Sequence, residues 1–463
     1  MGSTTPKALL DLCGRPLALW PVHAALEAGA AQVVVVDSPA APLAPLLPPG
    51  VLHAVQPQPN GTGGAVAAAL PLLDKSKPVL VLCGDVPLVE PAILEELLAF
   101  HDRSHAAATV LTTTLSDPSG YGRVVRDGEG LVARIVETKR PGDATEGELA
   151  IEEINAGIYV FAAQVLAEVI GRLDANNAQR ELYLTQAIEL LRAGGKAVAA
   201  YRCADPRVVA GVNDRLQLAA VRALARQLIC ERHLQAGVEI VDPATTTVEV
   251  GVRLEPEARV EPFTILRGES RVASGAVVGP FTTITDSLIG ERAVVRASWL
   301  ERANVGAGAQ VGPYAYLRPG TVLAEGAKAG TFVELKATEL GPGAKVPHLS
   351  YVGDATVGSQ ANLGAATITA NYDGFAKHRT TIGPGARLGV DTTLVAPVRV
   401  GAGAYTGAGS VITEDVPDGA LAIARAWQRN LPGWAQRRRE GGSEAEGEGK
   451  DAPAEQPATG KGL

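Results

Sequence analysis

Asp85 is the first residue whose surroundings suggest chemistry. It belongs to Cys83-Gly84-Asp85-Val86-Pro87, which directly follows the apolar run of residues 78–82. A carboxylate at the carboxyl end of a sheet strand can hold Mg²⁺, because this ion keeps several waters and usually takes only one or two protein oxygens. An aspartate that caps a turn explains the same motif. The motif therefore predicts either a magnesium ligand or a structural turn.

A glycine-rich turn and a lysine are the other candidates in the first half. Gln56 precedes Asn60-Gly61-Thr62-Gly63-Gly64, where glycines let the backbone approach a ligand and a following helix offers free N–H groups. An ordinary turn explains these glycines equally well. Lys7, just before Gly14-Arg15-Pro16, can neutralise phosphate charge or can be a solvated side chain.

Polar residues that packing does not require occur in the second half. His348 is one of only seven histidines; an imidazole can take a proton from an attacking amine near neutral pH, although a lone histidine is more often structural. Arg318 and Lys336 can be solvated corner residues, or they can bind one phosphate together. The remaining polar candidates are Tyr351, Asn362, Asn371 and Lys377.

A six-residue period positions this second group. From about residue 250 to residue 412 an aliphatic residue recurs at every sixth position, often followed by glycine, as in Val305-Gly306 and Val311-Gly312. Six residues form one short strand and a turn, so the aliphatic side chains all point inward and the coils stack as a parallel β-helix. Prisms of this kind commonly house acyltransferases. The period breaks at residues 371–380, which predicts a protruding loop.

Strands and helices alternate in the first half. Apolar runs at residues 32–36, 78–82 and 108–111 predict parallel strands, and residues 17–28, 64–73 and 91–101 predict the helices between them. The predicted domains are residues 1–213 (α/β), 214–236 (linker helix) and 237–435 (β-helix). Residues 436–463 are nearly devoid of apolar side chains and are predicted to be a disordered tail.

Composition excludes several classes of function. A net charge of −8 and a pI of about 5.5 disfavour nucleic acid as a partner. The four cysteines lack metal-type spacing, which favours reduced thiols. No apolar run approaches the roughly 18 residues of a membrane span, and the first residues do not follow the pattern of a signal peptide. We therefore expect a cytoplasmic protein with no membrane partner.

The order of the motifs resembles the sugar-nucleotide pyrophosphorylases over nearly the whole chain. The match is most similar to the bacterial bifunctional N-acetylglucosamine-1-phosphate uridylyltransferase/glucosamine-1-phosphate N-acetyltransferase family. The resemblance implies a Rossmann-like α/β nucleotidyltransferase domain with a mixed, mostly parallel sheet, followed by a left-handed parallel β-helix. Besides the motifs above, it rests on Gly120-Tyr121-Gly122-Arg123, Val136-Glu137-Thr138-Lys139, Glu153-Ile154-Asn155-Ala156-Gly157 and Gly211-Val212-Asn213-Asp214-Arg215.

The resemblance assigns roles in uridylyl transfer to the first half. The implied reaction is attack of the sugar phosphate on the α-phosphate of UTP, with release of pyrophosphate. Asp85 and Asn213 are implied to hold Mg²⁺, and Asn213 also borders the sugar phosphate. The nucleotide-binding residues are implied to be Lys7, Gln56, Gly61, Thr62, Cys83, Gly84 and Asp85, and the sugar pocket Gly122, Glu137 and Asn155.

The sequence departs from this family at its start. The family opens with an apolar strand and Leu-Ala-Ala-Gly-x-Gly-Thr-Arg, and Met1 aligns just after that arginine. Loss of this segment is expected to expose neighbouring strands and to remove phosphate-binding N–H groups. Two explanations stay open: Met1 is an internal methionine taken as the start, or the uridylyltransferase half is weak or inactive. Genomic codons upstream of Met1 that encode no such segment would exclude the first.

The resemblance assigns acetyl transfer to the second half. His348 is the implied general base, and Arg318, Lys336, Tyr351 and Asn362 are the implied sugar-phosphate contacts. Two departures, Ala366 for a glycine and Val390 for a serine, are expected to weaken acetyl-CoA binding without removing catalysis. The implied acetyl-CoA contacts are Ala365, Asn371, Tyr372, Val390, Ala408 and Arg425.

The predicted function is synthesis of UDP-N-acetylglucosamine, a cell-wall precursor, by acetylation and then uridylyl transfer. The resemblance further implies a homotrimer with acetyl-transfer sites between subunits. One alternative is an acetyltransferase whose nucleotidyltransferase half is impaired. Another is a different sugar-1-phosphate nucleotidyltransferase with a regulatory β-helix, and a non-enzymatic scaffold is the third.

Overall fold

The computed structural model describes residues 5–138, 142–175 and 180–439. The chain divides into two compact units, Met1–Leu228 and Ile229–Leu463, and the division falls within one long helix, Arg215–Gln235. Among the described residues, no helix is both long and apolar enough to span a bilayer.

The first unit alternates strands with helices, as its sequence pattern predicts. Its described strands are β1 (Asp11–Leu12), β2 (Arg15–Pro16), β3 (Val34–Asp37), β4 (Leu52–Val55), β5 (Val79–Val81), β6 (Ala108–Thr114), β7 (Arg123–Arg126), β8 (Val132–Val136), β9 (Glu153–Phe161) and β10 (Val198–Arg202). Its described helices are α1 (Leu19–Glu27), α2 (Thr62–Ala69), α3 (Pro91–Ser104), α4 (Glu146–Leu149), α5 (Ala163–Ile170) and α6 (Thr185–Ala193), followed by α7 (Arg215–Gln235).

The central sheet of this unit is mixed, and most of its strands run in one direction. Its order is β5-β9-β6-β10, and β5, β6 and β10 run in one direction while β9 runs in the other. Val110 and Phe161 pack with residues of α5 and α6 on one face, whereas Leu111 and Val160 pack with residues of α3 on the other. Because side chains alternate along a strand, the two faces bury separate apolar clusters. The β7-β8 hairpin pairs with the start of β9.

Strands β3 and β4 form a separate parallel pair. Within the described residues, β3 pairs only with β4, and β5 pairs only with β9. Strand β5 is half-buried along its length, whereas residues 108–113 of β6 are buried. Over the described part of the first unit the sheet is thus in two pieces, and both β3 and β5 have an edge that no described strand pairs with.

The second unit is a three-faced parallel β-helix, as predicted. The first face contains β11 (Glu239–Ile240), β14 (Arg259–Val260), β17 (Val277–Val278), β20 (Val294–Val295), β23 (Gln310–Val311), β26 (Lys328–Thr331) and β29 (Lys345–His348), and continues through single bridges at Asn362 and Arg387 to β36 (Tyr405–Thr406) and β38 (Leu421–Ala422). The second contains β12 (Thr247–Val248), β15 (Ile265–Arg267), β18 (Thr283–Thr285), β21 (Trp299–Glu301), β24 (Tyr316–Leu317), β27 (Glu334–Lys336), β30 (Tyr351–Gly353), β32 (Ile368–Ala370), β34 (Thr393–Val395) and β37 (Val411–Ile412). The third contains β13 (Arg253–Leu254), β16 (Arg271–Val272), β19 (Leu288–Ile289), β22 (Asn304–Val305), β25 (Val322–Leu323), β28 (Glu339–Leu340), β31 (Ala355–Val357), β33 (Thr380–Ile382) and β35 (Val398–Val400).

Register in this prism aligns the inward aliphatic side chains. Leu266, Ile284, Leu300, Leu317 and Leu335 lie opposite one another on successive second-face strands, and all are fully buried. Each such side chain stabilises the fold by roughly 1.5–3 kcal/mol. The six-residue period therefore fixes the core of the prism.

Two further segments of the second unit bear on the sequence analysis. The predicted loop lies between β32 and β33, where Tyr372 and Lys377 form an antiparallel bridge. The predicted disordered tail began at residue 436, but the structure has a short helix, α8 (Trp434–Arg439), that includes its first four residues. This corrects the predicted start of the tail, and residues 440–463 lie outside the described part of the chain.

Candidate functional site

The uridylyl-transfer candidates lie at one edge of the first unit's sheet. Asp85 follows the carboxyl end of β5, and Gly122 follows that of β6 after a short loop. Asn155 is near the amino end of the antiparallel β9, opposite Thr112 of β6, so it belongs to the same edge. Ligands of open α/β sheets bind at this edge, beyond the carboxyl ends of the strands.

Asp85 is paired with Lys7 and lies next to the segment that carries Asn213. The Lys7 Nζ atom is 2.8 Å from Asp85 Oδ2, and both side chains are about one-third exposed. The amide of Val212 donates to the Asp85 carbonyl over 2.9 Å. Asn213 is the next residue in the chain, so its segment lies beside Asp85. No cluster of three His, Cys, Asp or Glu side chains occurs in the described residues. The Asp85 carboxylate and the Asn213 side-chain amide would leave room for several waters around a metal ion. This set of oxygen donors fits Mg²⁺ rather than zinc.

The glycine-rich turn is held against the segment before α6. The Gly63 amide donates to the Leu182 carbonyl over 2.7 Å, and Thr62 Oγ1 accepts from the Leu184 amide over 3.0 Å. Gln56 Nε2 donates to Asn60 Oδ1 and to the Gly61 carbonyl, at 2.8 and 3.1 Å. The structure therefore brings Gln56, Gly61 and Thr62 together at the start of α2.

The predicted sugar-pocket residues lie at three adjacent strands: Gly122 directly precedes β7, Glu137 directly follows β8, and Asn155 is in β9. The Asn155 amide donates to the Gly122 carbonyl over 2.9 Å, and Asn155 Nδ2 donates to the Tyr159 hydroxyl over 2.7 Å. Glu137, just after β8, accepts a hydrogen bond from Thr185 Oγ1 at 3.3 Å. The Thr185 contact connects Glu137 to α6, the helix that follows the segment packed against the glycine-rich turn.

Cys83 has a structural contact in this unit. Its Sγ atom donates to the Gly157 carbonyl over 3.1 Å, and burial, with the nearby Asp85 charge, raises the pKa of the thiol to about 12. The thiol is therefore neutral at physiological pH. Gly84 passes close to Ala18, since a methyl group added to it would lie 3.7 Å from the Ala18 Cβ.

In the second unit, predicted sugar-phosphate and acetyl-CoA residues meet at one corner of the prism. Arg318, Lys336 and Asn371 each lie at or just beyond the carboxyl end of a second-face strand, on successive or nearby coils. Lys336 Nζ is 2.8 and 2.9 Å from the two carboxylate oxygens of Asp354, and Asn371 Nδ2 donates to the same carboxylate at 2.5 Å. Arg318 pairs with Glu334 at 2.9 Å. We call Arg318, Lys336, Asp354 and Asn371 the cationic corner.

Charges around this corner perturb one another. The hydrogen bond to Asp354 raises the pKa of Lys336, whereas the adjacent Lys336 ammonium lowers the pKa of Lys377. Lys377 belongs to the predicted loop, so the loop adds a third cation to the corner. The three cations outnumber the two carboxylates of Asp354 and Glu334, so this region attracts anionic phosphate groups.

His348 lies at a different corner. It ends the first-face strand β29, and its side chain is exposed. The cations end second-face strands, so within one chain a second-face strand separates the imidazole from them. Asn362 is farther from these cations. It lies on the first face, where it forms bridges with Lys345 and Arg387.

The predicted acetyl-CoA residues continue the His348 corner as a column. The Ala366 amide donates to the His348 carbonyl at 3.2 Å, the Asp391 amide to Ala365 at 2.7 Å, and the Gly409 amide to Val390 at 2.9 Å. Ala408 is therefore in the column, and Arg425 follows it one coil later; a methyl group added to Gly409 would lie 3.9 Å from Arg425 Cδ. Asn371 and Tyr372 lie at the other end of the second face.

Comparisons with known proteins agree with the resemblance. A family model described as "Nucleotidyl transferase" matches residues 1–205. Proteins named "Bifunctional protein GlmU" are 47% identical in Streptomyces avermitilis and 49% identical in Kineococcus radiotolerans, each over 453 residues and 96% of this chain, covering 93% and 91% of those proteins. A third, from Mycolicibacterium gilvum, is 47% identical over 455 residues, again 96% of this chain and 91% of that protein. The chain belongs to the bifunctional GlmU family. This confirms the family, fold class and bifunctional transferase predicted from the motifs.

Several residues of this GlmU-family chain that contact the candidate sites were not selected from the sequence. Asp354 is the main omission, since it bonds both Lys336 and Asn371. In the first unit, the buried Arg123 donates to the carbonyls of Pro118 and Tyr121 at 2.6 and 2.5 Å and thereby holds the loop before Gly122. Asp354 directly follows β30, and Lys336 is the last residue of β27, the strand that pairs with β30. Asp354 and Lys336 are therefore neighbours on successive coils, but this register is visible only in the fold.

Proposed function

We propose that this chain makes UDP-N-acetylglucosamine in two steps. Residues 237–435 transfer the acetyl group of acetyl-CoA to glucosamine-1-phosphate, and residues 1–213 then transfer a uridylyl group from UTP to N-acetylglucosamine-1-phosphate. One observation carries the proposal: the second face has a cationic corner at one end and His348 with the acetyl-CoA column at the other.

Acetyl transfer follows from the chemistry of these groups. Arg318 and Lys336 bind the sugar phosphate, while Tyr351 and Asn362 contact the sugar. His348 takes a proton from the amine as nitrogen attacks the thioester carbonyl; the C–N bond forms, the C–S bond breaks, and the proton passes to the CoA sulfur. Ala365, Asn371, Tyr372, Val390, Ala408 and Arg425 hold acetyl-CoA, with Arg425 suited to its phosphates.

Uridylyl transfer uses positioning and charge at the sheet edge of the first unit. Lys7 neutralises phosphate charge, the Gln56–Thr62 turn reads uracil, and Gly122, Glu137 and Asn155 hold the sugar. Asp85 and Asn213 would hold Mg²⁺, which when bound neutralises phosphate charge during transfer. Lys7 must exchange Asp85 for phosphate when substrates bind. The sugar-phosphate oxygen then bonds to the α-phosphorus as pyrophosphate leaves.

Two assays on the full chain test the two activities separately. Acetylation of glucosamine-1-phosphate is followed by release of CoA thiol, and uridylyl transfer by release of pyrophosphate from UTP and N-acetylglucosamine-1-phosphate. EDTA is expected to abolish the second and spare the first. Thiol release without pyrophosphate release would favour the acetyltransferase-only alternative, and the reverse would favour a different sugar-1-phosphate nucleotidyltransferase.

We further propose a cytoplasmic homotrimer with acetyl-transfer sites between subunits. The separation of His348 from the cationic corner supports sites completed by a second chain. An exposed apolar column also supports association, because large exposed apolar patches mark interaction surfaces. This aromatic column occupies the corner between the first and second faces and consists of Phe263, Phe281, Tyr314, Phe332 and Leu349.

A further inference from the structure

Asp354 connects several parts of the cationic corner. Its carboxylate accepts from Lys336 Nζ with both oxygens and from Asn371 Nδ2 with one of them. Its amide donates to the Lys336 carbonyl at 2.8 Å, and its carbonyl accepts from the Thr380 amide at 3.1 Å. Asn371 and Thr380 flank the predicted loop, so Asp354 contacts both ends of the loop as well as the lysine of the coil below.

The carboxylate fixes the orientation of the Asn371 amide. An ionised carboxylate only accepts hydrogen bonds, so the nitrogen of Asn371 must face Asp354 and its Oδ1 atom must face the other way. Asn371 is itself buried, which leaves little freedom for a flip. Oδ1 is thus the side-chain atom of Asn371 that is left to accept a hydrogen bond from an N–H donor.

The same carboxylate sets the position of the Lys336 charge. The Lys336 and Asp354 side chains are each only 18% exposed, so their contact is shielded from solvent. Arg318 donates its backbone amide to Leu335, which places the arginine beside Lys336 on the neighbouring coil. Without the carboxylate, Lys336 would be repelled by both Arg318 and Lys377 and would move away from them.

Bare backbone forms the floor of this cluster. A methyl group added to Gly353 would lie 2.5 Å from the Tyr351 hydroxyl and 2.7 Å from Asn371 Nδ2. The buried Thr369 hydroxyl accepts from the Gly353 amide at 2.7 Å and donates to its carbonyl at 3.1 Å. Tyr351, Asn371 and Lys336 therefore converge on the Gly353-Asp354 peptide.

We propose that Asp354 is a positioning residue for acetyl transfer. It holds the Lys336 ammonium in place for the sugar phosphate, and it turns the Asn371 side-chain oxygen toward acetyl-CoA. The inference rests on the proposed acetyl transfer. Asp354 contacts no substrate itself and acts through Lys336 and Asn371.

The variant Asp354→Asn tests the proposal without disturbing the backbone. Asp354 has φ +50°, a left-handed conformation that asparagine also tolerates. The amide keeps one acceptor oxygen and loses the charge. We expect the KM for glucosamine-1-phosphate to rise about tenfold while kcat changes less than about threefold, because ground-state placement of the phosphate is lost. Calorimetry should show the same loss in binding of glucosamine-1-phosphate.

Two further variants separate positioning from folding. Asp286→Asn is the matched control: Asp286 lies at the same corner four coils away with φ +47°, but its carboxylate accepts the backbone amide of Glu269 instead of the Lys336 and Asn371 side chains. This variant should behave as the wild type. In a Lys336→Met background, Asp354→Asn should have a much smaller effect on KM, because its partner is already gone.

Three results would overturn the inference. They are unchanged sugar-phosphate binding in Asp354→Asn, an equal loss in Asp286→Asn, and an undiminished effect in the Lys336→Met background. A wild-type chain that binds glucosamine-1-phosphate but releases no CoA thiol would instead overturn the proposed acetyl transfer, while the binding measurements would still decide the role of Asp354.

Discussion

The proposed base and one strained alanine are adjacent at the residue scale. His348 has an exposed imidazole, and its carbonyl accepts from the amide of Ala366. Ala366 has φ +59°, in the left-handed region where the side-chain methyl group is unfavourable. The family turn has glycine at this position, and the conformation observed for Ala366 explains why. Val390, the other departure, is exposed in the same column.

Replacing His348 with alanine should remove the base. We expect acetyl-transfer kcat to fall by about 10²–10⁴-fold, the usual contribution of a general base. Because the side chain is exposed, the unfolding midpoint and pyrophosphate release should stay at wild-type values. Thiol release and thermal unfolding measure these effects, and unchanged turnover would remove His348 from the mechanism.

Replacing Ala366 with glycine should relieve local strain. A left-handed backbone conformation costs an alanine roughly 1–2 kcal/mol, and replacement by glycine removes this cost. The greater freedom of glycine in the unfolded chain offsets part of the resulting stabilisation. We expect a net stabilisation of up to about 1 kcal/mol in urea unfolding and a lower KM for acetyl-CoA. Ala365→Gly, at a neighbour outside the left-handed region, should instead destabilise. A loss of stability in Ala366→Gly would contradict the strain argument.

Two turns position candidate groups at the element scale. The glycine-rich turn before α2 packs directly against residues 181–184, so its glycines leave space for that segment. The loop between β32 and β33 is stabilised from within: Asp373 Oδ1 accepts from the Phe375 and Ala376 amides at 2.8 and 2.7 Å, and Asp373 Oδ2 is 2.6 Å from His378 Nε2.

The substitution Gly61→Ala should displace the glycine-rich turn. Gly61 has φ +99°, and an added methyl group would lie 2.7 Å from the Leu182 carbonyl oxygen. We expect kcat/KM for UTP to fall by about 10–100-fold because the base-reading groups shift, while acetyl transfer is unaffected. Gly128→Ala, with nothing within 4 Å of the added methyl, is the matched control. Equal kinetics in the two variants would contradict a positioning role for the turn.

Acid should loosen the loop between β32 and β33 only at low pH. The Ala376 amide, the His378 side chain and the Phe375 amide all lower the pKa of Asp373. Because the pKa of Asp373 is lower in the folded loop than in the unfolded chain, the ionised carboxylate stabilises the loop at pH values above the ordinary aspartate pKa of about 3.9. This stabilisation is lost as the pH falls through the lower pKa of the folded loop.

Hydrogen exchange of the Phe375 and Ala376 amides, corrected for intrinsic rates, measures this effect. Protection should be constant from pH 7 to 5 and decline only below about pH 4. In Asp373→Asn it should be weak throughout, with no acid step. Protection that already falls between pH 7 and pH 5 would contradict the assignment of this stabilisation to the Asp373 carboxylate.

The aromatic column is the main feature of the second unit at the scale of the whole molecule. Phe263 and Phe281 are stacked at 5.1 Å, and Tyr314 and Phe332 at 5.3 Å, so the column presents flat, preformed apolar surface. All four rings are more than half exposed and have positive φ. Leu349, next to His348, continues the column to the proposed active site.

Charges placed on the aromatic column should dissociate the proposed trimer. Light scattering of the wild type is expected to give three times the chain mass of 47.7 kDa. Phe281→Glu/Phe332→Glu should give smaller species and little acetyl transfer, because desolvating a carboxylate in an apolar interface is costly. Leu288→Glu, at an exposed leucine of the third face, should remain trimeric. A trimeric double variant would place the interface elsewhere.

The sequence by itself determined the family, the alternation of the first unit, and the inward aliphatic ladder of the second. These features are local: they follow from motif order and from a period of six, which place side chains inward whatever the neighbouring coil contains. Only the tertiary structure decided which polar residues meet. Leu335 aligns with Val352, but across the inserted loop Thr369 aligns with Leu394. Corner partners therefore depend on the length of each coil. Lys336 and Asn371 were predicted from the family resemblance, whereas Asp354 between them was not. The Lys7–Asp85 pair was not predicted either, because the two residues are 78 positions apart and meet only when the first unit folds.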